Sequence, residues 1–388
     1  MKEIIIKKIY IDRKVKDRSF TKNVLNNLPH TPLEITDTAP AFSTAQGKQI
    51  LYITDYKGVF CKPCPGTSQE YLCCNYQVIN ETTGCPLDCA YCILQGYMDS
   101  SVLTVYANYE KIFEEFDTFH NKYPQRIIRI GTGELADSLA LERYTNISSL
   151  LIPYFRMKKN VFFELKTKTN KIEFLAPFAH KTNNLVLSWS LNTPQAIESV
   201  EFKTASLQER LQGAKRAQEM GFKMSFHFDP IVHHENWKEN YHRTIERLFK
   251  TVDHRRIVWI SLGGLRMPPD LKPIIKERFP ETPIIRDEQI IAKDRKLRYF
   301  KPLRYEMFKH IYDTIRSHSK DVFVYFCMED KDIWQKVMGF SPINTNHVDY
   351  LFAESLFRRF PEMDLPKPEF DYYQSLDSIH DPAYEKRI

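Results

Sequence analysis

Three thiols fall within eight residues of this chain, in the run Cys85-Pro86-Leu87-Asp88-Cys89-Ala90-Tyr91-Cys92 that follows Tyr76-Gln77-Val78-Ile79-Asn80. Cysteine at that density in one loop points to metal binding before packing. A four-iron cluster is ordinarily held by four thiolates, and ferredoxin-type runs supply the fourth close by. Here the run stops at three. Three ligands on a four-iron cluster leave one iron open, and an open iron can bind and polarise an outside ligand instead of only passing electrons. The competing chemistry is zinc: Cys61-Lys62-Pro63-Cys64 and Cys89-Ala90-Tyr91-Cys92 form two C-x2-C pairs, a pattern that builds closed four-sulfur sites. Zinc would leave Cys85 unexplained, but the spacing alone leaves both chemistries open.

The 388 residues are enough to bury a large core, as one barrel of roughly 200 to 250 residues with additions or as two domains. Lys+Arg 55 against Asp+Glu 49 gives a net charge of +6. That mild excess suits a polyanionic partner and a solvated surface equally, and excludes a histone-like polycation. The start, Met1-Lys2-Glu3-Ile4-Ile5-Ile6-Lys7-Lys8, lacks a signal-peptide pattern, and no run approaches about 18 apolar residues. A cytoplasmic protein without a membrane span is expected. Of the eight cysteines, seven lie between Cys61 and Cys92. Disulfide frameworks belong to short secreted chains, so reduced thiols fit this length better.

The elements that must position these residues follow from periodicity. Apolar, β-rich runs recur at Arg126-Ile127-Ile128-Arg129-Ile130, Val161-Phe162-Phe163-Glu164-Leu165, Leu185-Val186-Leu187-Ser188-Trp189-Ser190, Lys223-Met224-Ser225-Phe226-His227-Phe228 and Arg256-Ile257-Val258-Trp259-Ile260-Ser261-Leu262. With the strand before Cys85 they make six. Amphipathic stretches at 108–120 and 206–220, the latter ended by Gly221, lie between them, which predicts βα units and a parallel sheet. The fold class is α/β: a partial (βα)6 TIM-type barrel with N-terminal and C-terminal additions. The expected organisation is an N-terminal extension with a cysteine-rich, irregular segment (1–74), a barrel (75–265), a C-terminal α/β extension (266–360, with a helix over 302–318 and a strand at 322–327), and a flexible tail (361–388).

Parallel barrels place chemistry at the C-terminal ends of their strands. Polar residues fall there in phase: Gly131-Thr132-Gly133-Glu134, Glu164-Leu165-Lys166-Thr167-Lys168, Ser190-Leu191-Asn192-Thr193 and His227-Phe228-Asp229-Pro230. Each alone reads as a surface group. Together they outline a ligand-binding mouth in which glycines admit a ligand to the backbone and Glu134 can hold an ammonium group.

The C-x3-C-x2-C spacing with an aromatic before its last cysteine resembles the radical S-adenosylmethionine superfamily. The pieces 85–95, 131–139, 163–168, 188–193, 204–210 and 226–241 resemble, in order and spacing, the spore photoproduct lyase family over roughly residues 50 to 290. That resemblance implies a [4Fe-4S] cluster on Cys85, Cys89 and Cys92, and an S-adenosylmethionine site lined by Tyr91, Gly131, Thr132, Gly133, Glu134, Lys166, Ser190 and Asn192. It further implies Tyr91 as a hydrogen relay, a DNA pyrimidine lesion as substrate, and an electron donor such as a flavodoxin or ferredoxin.

The chain departs from the family where the reaction closes. The family's hydrogen-donor cysteine corresponds to Gly131, and a second relay tyrosine corresponds to Ile93. Neither residue can return a hydrogen atom. Cys73, Cys74, Tyr97 and Cys327 have suitable chemistry, although a strand-borne Cys327 and the thiols of 61–74 read first as buried structural groups. Radical chemistry on RNA, a peptide or a small metabolite is therefore an alternative function, and a zinc-stabilised nucleic-acid-binding protein is another. The run 293–301, rich in Lys and Arg with Tyr299 and Phe300, reads equally as a phosphate-gripping strip and a solvated turn.

Overall fold

A computed structural model of the chain describes residues 3–65, 70–98 and 101–377. Seven strands run parallel and pair in chain order: Gln77–Ile79, Ile128–Thr132, Val161–Thr167, Leu185–Ser190, Lys223–Ile231, Ile257–Gly264 and Phe323–Phe326. Covering a parallel sheet on both faces demands near-continuous apolar strands, and Val161-Phe162-Phe163 and Ile257-Val258-Trp259-Ile260 are all buried. The first six strands are those read from the sequence. The strand at Phe323–Phe326, assigned to an extension, instead joins the same sheet beside Ile257–Gly264. At the other edge Cys61–Pro63 pairs antiparallel with Gln77–Ile79, so the segment expected to be irregular begins as a strand. Its Gly66 lies outside the described residues.

Helices follow the strands as crossovers must. The clearest is Leu207–Glu219, opened by a capping box between Ser206 and Glu209. Past its end Gly221 sits at φ +83°, the left-handed conformation that stops a helix.

The two edges of the parallel sheet do not pair with each other. The cysteine-rich segment crosses that open side: Leu72 N–H donates to Glu329 O at 3.0 Å, and Cys73 N–H to Thr345 Oγ1 at 3.3 Å. Helix Thr345–Arg359, whose pattern the sequence reading did not isolate, covers the same side. Phe352 packs against Trp259, Phe323 and Tyr325, and the buried Asp349 carboxylate lies 2.9 Å from Arg126 Nε and 3.5 Å from Arg129 Nη2.

A second sheet, ordered Leu33–Thr36, Lys8–Asp12, Ile50–Thr54, Leu103–Tyr106 and Thr82–Thr83, flanks the first. It takes strands from both sides of the expected 74/75 boundary, while Cys61–Pro63 crosses the other way into the barrel sheet. The expected N-terminal extension is thus interleaved with the barrel. The expected flexible tail also needs correction over its first part. Residues 361–377 include the helix Phe370–Gln374, and buried Tyr373 accepts a hydrogen bond from Ile127 N–H at 2.9 Å. Residues 378–388 lie outside the described residues. No helix among the described residues is long and apolar enough to cross a membrane.

Candidate functional site

A cavity of about 600 Å³ opens at the C-terminal ends of the parallel strands. Cys85, Cys89 and Cys92 share its wall with Tyr91, Gly133, Glu134, Lys166, Lys168, Ser190, Asp229 and Arg266. The cysteine loop is too short to satisfy its own backbone, and neighbours supply the missing bonds. Ala90 N–H donates to Val200 O at 2.8 Å, and Asp88–Cys89 pairs antiparallel with Glu201–Phe202. Gln95 Nε2 donates to the carbonyls of Cys89, Ala90 and Cys92 at 3.3, 2.8 and 3.2 Å. Lys48, from the N-terminal unit and only 9% exposed, donates to Cys85 O at 2.9 Å and to Leu87 O. Asp88 gathers three cations, Lys48 at 3.6 Å, Lys203 at 3.3 Å and Arg278 at 2.9 Å.

Burial pushes the Cys85 thiol up to about 12, against the pull of Lys48, and pushes Cys89 up as well. Metal binding by these thiols must therefore displace protons.

The charged wall is organised by opposite charges in a dry setting. Burial disfavours the Lys166 ammonium, but Glu134, Glu164 and Asp229 surround it and hold it charged above its ordinary range. Asp229 is half-buried, and desolvation would raise it, yet it stays low because Arg266 binds it with two bonds, Nη1 to Oδ1 at 2.9 Å and Nη2 to Oδ2 at 3.2 Å. Tyr91 donates its hydroxyl to Glu201 Oε1 at 2.5 Å, and fully buried Arg210 donates to Glu201 Oε2 at 2.6 Å. Burial would raise the Glu201 carboxyl, but Arg210 and Lys168 bring it down to about 2. Beneath the cavity, Glu164 accepts from Tyr76 Oη at 2.6 Å, Ser225 Oγ at 2.7 Å and Ser188 Oγ, with His227 Nε2 at 2.8 Å. Despite its burial, His227 and Lys166 hold it well below the usual carboxylate range.

Of the residues singled out in the sequence, Cys85, Cys89, Cys92, Tyr91, Gly133, Glu134, Lys166 and Ser190 converge on this cavity. Gly133 takes φ +92°, and the turn after it is held by Asp137, whose carboxylate accepts from the N–H groups of Leu139, Ala140 and Lys168. Gly131, Thr132 and Asn192 lie off the cavity wall. Gly131 is buried inside its strand, and Thr132 Oγ1 donates to Ser138 Oγ at 2.7 Å. Asn192 is buried, giving Nδ2–H to Pro230 O at 3.1 Å and accepting from Tyr241 Oη at 2.5 Å.

The sequence reading missed Asp137, Glu201 and Arg266. Arg266 follows Gly263-Gly264 at the end of the sixth barrel strand, and that placement was the available signal. In the basic run, Arg298 is spent on buried ion pairs with Asp294 at 2.7 Å and Glu329 at 3.5 Å, and Lys296 lines the cavity. Lys293 and Arg295 stay exposed.

The two C-x2-C pairs do not form a joint site. Cys61 Sγ is 3.7 Å from Ile112 O and its N–H meets Glu115, away from the cavity that Cys89 and Cys92 line. Among the described residues no group of three or more His, Cys, Asp or Glu side chains is arranged around a single ion.

This architecture has known counterparts. The chain is 23% identical to the spore photoproduct lyase of Clostridium acetobutylicum over 325 residues, 80% of this chain and 91% of that protein. It is 26% identical to the spore photoproduct lyase of Bacillus subtilis (strain 168) over 240 residues, 61% of this chain and 68% of that one. Among solved structures, a spore photoproduct lyase cysteine-to-alanine variant superposes with a TM-score of 0.75 at 20% identity, covering 84% of this chain and all (100%) of that one. A further variant of that enzyme, with bound AdoMet and dinucleoside spore photoproduct, gives 0.73 at 20% identity and the same coverage, 84% and 100%. The family model described as spore photoproduct lyase matches residues 69–330, well over half of the 388, so the chain belongs to the spore photoproduct lyase family.

Proposed function

We propose that this chain is a radical S-adenosylmethionine enzyme that acts on a pyrimidine lesion in DNA, of the spore photoproduct type that its relatives are named for and that one related structure holds. The observation that carries the reading is the convergence of three loop thiols with Lys166, Ser190 and Asp229 on one cavity. Cys85, Cys89 and Cys92 would hold a [4Fe-4S] cluster, their number leaving one iron free. The rest of the wall suits the zwitterionic end of an amino acid: Lys166 and Lys168 face a carboxylate, and Glu134 an ammonium group. When bound, the two cofactors supply a 5′-deoxyadenosyl radical.

Around that chemistry the chain orients and excludes water. Tyr91, the candidate relay, is fixed at the wall by its bond to Glu201. Glu164 anchors the floor through Tyr76, Ser188, Ser225 and His227, so the lumen beneath the ligand is rigid before anything binds. Lys293 and Arg295, on the turn beside the cavity-lining Lys296, would meet a phosphate backbone. Reduction would come from a one-electron donor of the flavodoxin or ferredoxin class, and lesion cleavage would make the enzyme a carbon–carbon lyase.

Anaerobic reconstitution tests the reading. About four irons and four sulfides per chain are expected, with 5′-deoxyadenosine forming on reduction and thymine dimers disappearing from irradiated DNA. Cofactor cleavage with irradiated DNA left unrepaired would move the substrate to RNA, a peptide or a metabolite. A colourless zinc protein would end the proposal.

A further inference from the structure

A hydrogen atom taken from a lesion must be given back before the repaired base can leave, and position 131 offers no group to give it. The donor must have a weak X–H bond and reach the cavity. Tyr91 and Tyr76 commit their hydroxyls to Glu201 and Glu164. Cys73 and Cys74 are buried free thiols hydrogen-bonded to each other, and Cys61 lies against Ile112. Tyr97 stands on the rim with its side chain 63% exposed, turned to solvent and away from the lumen's charged wall.

Two thiols are left, Cys64 and Cys327, and the surroundings of Cys327 are the built ones. It follows the last parallel strand, at the opposite edge of the sheet from the strand that feeds the cysteine loop. Arg266 Nη2 lies 3.3 Å from its sulfur, and its thiol hydrogen-bonds the Asp229 carboxylate. Arg266, Asp229 and the next residue, Met328, all line the cavity, and the half-buried Cys327 stands directly behind that wall, in contact with it through Arg266. Below it the register sets Ser261 between His227 and Tyr325 on one face of the sheet. Ser261 lies beneath the cavity wall, and its Oγ, 1% exposed, has no hydrogen-bond partner among the described residues.

We infer that Cys327 is the catalytic residue that returns the hydrogen atom to the carbon radical on the substrate, an inference that rests on the function proposed above. The Cys327 S–H bond breaks homolytically, a C–H bond forms on the substrate, and the sulfur is left as a thiyl radical. One electron from the flavodoxin- or ferredoxin-class donor and one proton from solvent restore the thiol. Burial and Asp229 favour the protonated sulfur, the form that carries a hydrogen atom to give.

The test uses the full chain, reconstituted and reduced, with dinucleoside spore photoproduct in D2O. A thiol donor carries solvent deuterium, so the parent enzyme should place deuterium in the repaired thymine. Cys327→Ala should lower the yield of repaired product per 5′-deoxyadenosine by roughly tenfold or more and abolish the deuterium label, with Cys327→Ser no better. Cys61→Ala, remote from the cavity, is the control. Iron content and the thermal midpoint of each variant separate this result from a folding loss. Parent-like yield and label in Cys327→Ala would overturn the inference while leaving the proposed function standing, as would transfer of the defect to Cys64→Ala or Tyr97→Phe. A parent enzyme that cleaves S-adenosylmethionine but leaves the lesion intact would remove both.

Discussion

The phenolic oxygen of Tyr76 occupies the place where a side chain on Gly131 would begin. A Cβ there would lie 2.2 Å from Tyr76 Oη and 2.3 Å from the backbone oxygen of Glu164. The 2.6 Å bond from Tyr76 to Glu164 Oε2 keeps the ring in position. The missing thiol is therefore part of a repacked floor, and a cysteine cannot simply be put back. Gly131→Cys should destabilise the fold by about 1–3 kcal/mol, the usual cost of overpacking. Adding Tyr76→Phe should recover only part of that, because the Glu164 carbonyl stays. Chemical denaturation measures both, and an unchanged midpoint for Gly131→Cys would refute the steric argument.

The cluster assignment makes a sharper demand on the cysteine loop. Cys89 is strapped by backbone bonds to residues 200–202, so losing its sulfur should leave the loop in place. Cys89→Ala should take reconstituted iron from about four per chain to near zero with an unchanged far-ultraviolet spectrum, and Cys85→Ala and Cys92→Ala should behave alike. Cys61→Ala should keep its iron. Full iron in Cys89→Ala would place the cluster elsewhere.

Lys48 belongs to the flanking unit, yet it is the donor to the Cys85 and Leu87 carbonyls. Lys48→Met leaves Asp88 paired with Arg278 and Lys203 but strips both carbonyls of their partner. A cost of about 1–3 kcal/mol is expected for leaving buried acceptors unpaired, together with faster loss of iron to a chelator. Lys48→Arg, which keeps a charged donor, should restore part of the retention. If the chelation rate of Lys48→Met matches the parent, the strap is not what holds the loop.

How much of this was readable beforehand divides along physical lines. Doubly buried parallel strands announce themselves as apolar runs, so six of the seven were assigned to the sheet, and their polar ends together with the cysteine loop located eight cavity residues. Phe323–Phe326 was found as a strand but not as a member of the sheet, because pairing across a long connection leaves no local mark. The flanking sheet escaped because its strands are short and one, Leu33–Thr36, is largely exposed. Arg266 and Glu201 escaped for another reason. Each is defined by a partner far away in sequence, Asp229 for Arg266 and Tyr91 for Glu201, and only the fold brings them together. Asn192, which the family resemblance put at the cofactor site, is drawn off the cavity wall by Tyr241 and Pro230, contacts that no local pattern announces.

A final prediction concerns pH and the junction between the two sheets. Glu81 and Glu142 are both buried, Glu81 at the end of the first parallel strand and Glu142 on a helix beyond the second. Burial, and the charge of Glu142, push the Glu81 carboxyl up to about 8, and burial pushes Glu142 up to about 7. An acid whose folded value is raised stabilises the fold fully only below its unfolded value, near 4.5, and that contribution drains away as pH rises to the folded value. Glu81→Gln keeps the shape of the protonated acid and cannot ionise. Its stability relative to the parent should therefore improve steadily between about pH 5 and pH 8, by about 2–5 kcal/mol in total. Urea unfolding of the two proteins across that range reads the difference directly. A pH-independent gap would show that Glu81 ionises in the fold as it does in water.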